Sequence, residues 1–280
     1  MTTFLAIIAA GVVQAASPTP IEADIAWVSH GEYCEPETVL PLPDDTLLVS
    51  NVCGFSEPGS GFLTLLGADG KVIGWRVMEG LDSPLGMALQ DNRLFIIDNN
   101  QLKILAWPGY ELQDSIKLET RVANDVAVTA GGEVYVSDTA SGQVIKLSID
   151  GTQSVFLGEK KFPGANGMEI VDGFLYVGGE RLWRINLDSL AVELAAPEWV
   201  SDIDGIEFES DGTLQVTPVA GPLIRFSING EIQVLAGEGI SSANHGYAQR
   251  LGLALIPTGF DNTVIAIRIP TALSAAAKID

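Results

Sequence analysis

Glu37, Asn124, Asn166 and Asp204 stand at the same point of a phrase that recurs along the chain. In PETVLPLPDDTLLVSN, ANDVAVTAGGEVYVSDT, ANGMEIVDGFLYVGGE and SDIDGIEFESDGTLQVTPV, a polar residue opens a short alternating run, followed by a turn and a second run. Two carboxylates and two amides offer oxygen donors only. Hard cations such as calcium take that set, and a zinc cage would need the His and Cys that are missing. An Asx-Gly pair alone is a common turn signal and opens many strands. The copies differ, however: Glu37 replaces the Asx in the first, and Glu is a poor turn former but a good ligand. Glu35 lies two residues earlier on the same face, so the first ligand is Glu35 or Glu37.

Such residues act together only if the fold brings them to one place. Two looser copies open on Leu85 and Asn244, and alignment on the six positions gives steps of 48, 39, 42, 38 and 40 residues. A period near 40 built of short strands is the signature of a propeller blade. The fold expected is all-β, a six-bladed β-propeller of four-stranded antiparallel blades, in preference to a sandwich or solenoid. Asp-Gly and Asn-Gly pairs at Asp69, Asp150 and Asn229 mark outer hairpin turns. Residues 21–29 alternate apolar and polar and have no partner before the first repeat. Their expected place is the outer edge of the last blade, closing the ring. The first residue of each inner strand then faces one mouth of the central channel. The Gly after Asn166 and Asp204 is expected to make room where backbones crowd at the axis.

With 47% hydrophobic and 18% charged residues, the chain is globular. Its 36 acidic and 15 basic residues leave a net charge of −21, which repels phosphate backbones and excludes nucleic acid as a natural partner. An apolar run from Phe4 to Val13, followed by small residues through Ala15, reads as a signal peptide over residues 1–16. The remaining 17–280 form a single propeller domain, exported to the periplasm or beyond, with no run long enough for a stable membrane span. In that compartment the pair Cys34 and Cys53 is expected to form a disulfide.

The phrases PETVLPLPDDTLLVSN, ANDVAV, GANGMEI, DIDGIEF and PTGFDNTVIAIRI resemble the SMP-30/gluconolactonase/LRE-like superfamily of six-bladed propellers, and more distantly the paraoxonases. The resemblance runs from about Ile21 to Ile269. It implies a divalent metal, usually calcium, held by Glu37, Asn124, Asn166 and Asp204 at the floor of a pocket in the channel mouth. It also implies hydrolysis of a lactone or related ester, a small-molecule substrate, by water attack on a metal-polarised carbonyl. Asp204 is the expected general base, with Asp125 or Asp202 as substitutes. Asp125 follows a ligand in a strand and is expected to point the opposite way, capping a neighbouring turn.

The only histidines are His30, expected at the surface, and His245, placed at the mouth either facing substrate or as a plain loop residue. Arg121 is the nearest cationic group for a polyhydroxy substrate. A ring of Leu85, Met87, Met168, Phe55 and Tyr247 would favour something less polar. The alternative from another class is a non-catalytic cell-envelope binding propeller with a structural calcium, gripping a partner through loops at residues 54–61 or 237–246. A strictosidine-synthase-type propeller is disfavoured by the presence of all four candidate ligands.

Overall fold

Short runs with alternating apolar positions become strands, and the Gly, Asp and Asn residues between them become tight turns. The computed structural model describes residues 18–148, 151–158, 162–237 and 243–270. The expected signal peptide, residues 149–150 of an outer turn, part of the 237–246 loop and the tail 271–280 lie outside the described residues.

Every described element is a strand, and the strands form six sheets arranged as the blades of a propeller. The inner strands are Pro36–Pro41, Pro84–Gln90, Ala123–Val128, Met168–Val171, Ile203–Phe208 and Gly246–Ala248. Within each blade successive strands pair antiparallel, from the inner strand outward. No helix among the described residues is long and apolar enough to cross a membrane.

Burial is arranged between blades. Six hydrophobic clusters occupy the six interfaces; one packs Phe95 and Ile97 of blade two against Val126, Val136 and Ile145 of blade three. Removing one such ring, as in Phe95→Ala, costs about 3–5 kcal/mol. Because each blade's second face is its neighbour's first, no blade buries its apolar residues alone.

The N-terminal segment closes the ring at the outer edge of blade six as expected, with one difference. It divides into two strands rather than one. Ile21–Glu22 adds in parallel to Ile232–Ala236 at the edge of blade five, and Ile25–His30 pairs antiparallel with Thr263–Arg268 of blade six. The switch falls at residues 23–24, where Ala23 N donates to Ala236 O at 2.9 Å and Arg268 N donates to Asp24 O at 2.8 Å. Blade six needs only one more strand, so the preceding residues cover the neighbouring edge as well. A second latch lies at the axis. Asn244 N donates to Glu37 O at 2.9 Å, so the last blade closes on the first at a candidate ligand.

Candidate metal centre and active site

The inner strands carry the candidate ligands in places where the ladder is interrupted. Register breaks between Pro36 and Val39, Ala123 and Val126, and Ile203 and Gly205 enclose Glu37, Asn124 and Asp204. A bulge leaves a residue unpaired and re-aims its side chain. The amides so freed are met by hydroxyls of the second strand: Thr38 N donates to Ser50 Oγ at 3.0 Å and Asp125 N to Ser137 Oγ at 2.9 Å. Asn166 lies just before its strand, its N–H donating to Gly178 O at 3.3 Å.

The loops leading into these strands are held by an Asx that ends the second strand, a device not recognised from sequence. Asn51 Oδ1 accepts Cys34 N, Asp98 Oδ1 accepts Asp82 N and Ser83 N, and Asp138 accepts Arg121 N and Val122 N, all at 2.7–3.2 Å. The signal was present, since LLVSN, RLFIID and VYVSD all end on Asx.

Glycines set the approach of one blade to the next. A Cβ on Gly167 would lie 1.5 Å from Asp204 O, and one on Gly205 would lie 2.3 Å from His245 Nδ1. The expected role of these glycines at the crowded axis holds.

Asp125 is a correction. The bulge that turns Asn124 inward also carries Asp125 across the axis instead of onto a neighbouring turn. Its Oδ2 accepts Met168 N of blade four at 2.6 Å, Oδ1 lies where a side chain on Gly86 of blade two would be, and the carboxylate is also hydrogen-bonded by the Asn244 side chain of blade six. It therefore joins three blades across the channel. Asp202 is exposed and bonded by Ser201, away from the axis.

The remaining expectations divide. His30 is exposed as anticipated. His245 is buried at 2% exposure rather than open at the mouth; its Nδ1 is 2.9 Å from Thr217 Oγ1 and its Nε2 has no partner. Burial pushes the imidazole down to about 3, so it is neutral. The suggested apolar ring is dispersed. Leu85 is in the core between blades two and three, and Phe55 is exposed. Met87, Met168 and Tyr247 line a cavity of about 340 Å³. None of the four candidate ligands lines that cavity, but Thr38, Asp125, Asn244 and His245 beside them do. Glu169 and Glu207 also line it.

Glu35 and Glu37 separate clearly. Glu35 is exposed, and its Oε2 accepts Gly54 N at 2.7 Å. Glu37 faces the axis, with Oε2 accepting from Thr38 Oγ1 at 2.6 Å. Burial first and Asp204 second hold its carboxyl well above the usual range, although the residue keeps some surface at the mouth. Burial, then Asp125, pushes Asp204 up to about 7. The effect of Asp204 on Glu37 puts the two carboxyls in one neighbourhood.

Asn124 Oδ1, Asn166 Oδ1 and Asp204 Oδ1 are all buried with no hydrogen-bond partner. Buried polar atoms are rarely left so, and three at equivalent positions of one ring suit an oxygen-liganded cation. Among the described residues no three His, Cys, Asp or Glu side chains cluster as a metal site, because this set is half amide. The donor chemistry fits a hard cation. Cys34 and Cys53 form the expected disulfide, with Cα atoms 4.9 Å apart, at the entry to the strand bearing Glu37.

Solved structures with this architecture include a gluconolactonase from Xanthomonas campestris, at 15% identity and a TM-score of 0.64 over 89% of this chain and 88% of that one. A structural-genomics target provisionally assigned as a gluconolactonase aligns at 17% identity and a TM-score of 0.68, over 90% and 93%. Virginiamycin B lyase from Staphylococcus aureus aligns at 10% identity and 0.59, over 84% and 95%. The likeness is one of fold. No family model matches the chain, and no curated protein matches its sequence.

Proposed function

We propose that this chain is a divalent-metal-dependent hydrolase of lactones or related esters, with calcium the expected ion. The observation that carries the reading is the set of unpartnered, buried oxygens on Asn124, Asn166 and Asp204 beside the Glu37 carboxylate. A cation held by these four residues would supply Lewis-acid polarisation of a carbonyl oxygen. The chain's own contribution is orientation and proton transfer. Glu37 is fixed by Thr38, leaving Asp204 as the carboxylate whose other oxygen, the one not given to the cation, would take a proton from water. Asp125 is engaged by Met168 and Asn244 and acts as a brace. Water adds hydroxide to the carbonyl carbon, the ring C–O bond breaks, and the proton passes to the departing alkoxide to give a hydroxy acid.

The test is hydrolysis of γ- and δ-lactones, a sugar lactone and phenyl acetate, with calcium, after chelation, and with Asp204→Ala. Turnover lost in both controls, with the product heavier by one water, supports the reading. A product of unchanged mass would mean elimination instead. No turnover, with calcium still raising the melting temperature, would favour the binding propeller, a role the brace across three blades also suits.

A further inference from the structure

Two large apolar side chains stand largely exposed on the side of the ring that bears the candidate ligands. Phe260 is 83% exposed and Phe55 69%, the highest values among the large apolar residues described. Each lies on a connection following a second strand, Leu253–Thr258 and Leu47–Asn51. Inner strands run away from the mouth and second strands return to it, so both connections lie on the ligand side of the ring.

Glu35 links the two. Its N–H donates to Asn262 Oδ1 at 2.6 Å, two residues from Phe260, and its Oε2 accepts Gly54 N, one residue from Phe55. The Phe55 loop is further pinned by the Cys34–Cys53 disulfide, by Ser83 Oγ donating to Gly54 O at 3.0 Å, and by Gly59 N donating to Asp82 Oδ1 at 3.1 Å. Phe55 is thus carried on a braced loop. Glu37 is two residues from the linking Glu35.

We propose that Phe55 and Phe260 form an apolar rim that receives a hydrocarbon or aromatic substituent of the substrate while its carbonyl lies at the Glu37–Asn124–Asn166–Asp204 cluster. This rests on the hydrolase reading and names its substrate class: lactones or esters carrying an apolar arm, in place of polyhydroxy lactones. A sugar ring would need donors and acceptors where the rim offers two phenyl faces. A large dry partner is a poorer occupant, because Glu57 and Asp261 flank the two rings and would have to be desolvated. A small amphiphile covers the rings and leaves those carboxylates in water. The braced loop lowers the ordering cost of binding.

The experiment is a series of γ-lactones with side chains from zero to six carbons, assayed on the wild type, Phe260→Ser and Phe55→Ser/Phe260→Ser. A half-buried methylene is worth about two-fold in kcat/KM, so six give roughly 50-fold. The expected result is that long-to-short ratio in the wild type, an intermediate ratio in the single variant, and a ratio near one in the double. Equal rates along the series, or a ratio that survives in the double variant, overturn the rim and leave the hydrolase reading standing. Absence of turnover along the whole series overturns both. A flat series with wild-type binding to phosphatidylcholine vesicles that the double variant loses overturns the rim in favour of a lipid-facing patch.

Discussion

Acidic side chains are treated in opposite ways at two places in the propeller. In blade five, Glu209 receives a two-pronged contact from the Arg225 guanidinium, Nε to Oε1 and a terminal nitrogen to Oε2, both at 2.7 Å. Arg225 is 2% exposed and also donates to Gln233 and Pro270. Along the axis, Glu37, Asp125, Asp204, Glu169 and Glu207 press on one another, and among the described residues none has a Lys or Arg partner. The chain has the means to neutralise a buried carboxylate. At the axis it leaves the charge for protons, hydrogen bonds or an added cation.

The strongest way to break this contrast is Asp204→Ala. Loss of its carboxylate should lower lactone turnover by about 10³-fold or more. It should also abolish stabilisation by calcium, which for the wild type at 1,000 times its Kd adds about 4 kcal/mol, roughly 10 °C. Calorimetry with calcium and after chelation checks this; an undiminished calcium shift would remove Asp204 from the site.

Arg225→Met addresses the other pole. It leaves Glu209 without its cation and should cost about 3–5 kcal/mol in denaturant unfolding. Calcium affinity should stay unchanged, and a large fall would mean that the two regions are not independent.

Glu37→Gln should weaken calcium binding by at least about ten-fold in titration calorimetry, through the loss of one ligand charge. Glu35→Gln should leave it nearly unaltered. The reverse ranking would exchange their roles.

The smallest effect concerns pH. Burial, then Asp125, pushes Glu169 up to about 8, and burial, then Glu169, raises Glu207 well above the carboxylate range. A carboxyl whose folded pKa is raised binds protons more tightly in the folded state. Its contribution is complete below the unfolded pKa and is lost as pH climbs through the folded one. Without divalent cations the melting temperature should therefore fall between about pH 4.5 and 8. Glu207→Gln should flatten the slope and melt several degrees higher at pH 8. An unchanged slope would show that these groups do not control it.

Much of this was legible in the residues themselves. The repeat near 40 and the alternation within each copy specify six blades, because a blade is a local unit whose strands follow one another in sequence. The position of Asn124, Asn166 and Asp204 at the head of each inner strand is equally local. So is the oxygen-only character of the set, a matter of residue type. The glycine after Asn166 and Asp204 was readable for the same reason.

Contacts between distant blades were not. Strand alternation directs Asp125 away from the axis, and only the bulge between Ala123 and Val126 turns it back to touch blades two, four and six. Glu35 and Glu37 share a face by spacing, yet the positive φ of 51° at Glu35 sends it to Gly54 while Glu37 faces Asp204. The N-terminal run reads as one strand, but two blade edges stood open to it. Residue order alone determined the blades and the atoms offered at each mouth position. Closure of the ring decided which of those atoms meet, since register breaks and edge vacancies depend on partners tens to hundreds of residues away.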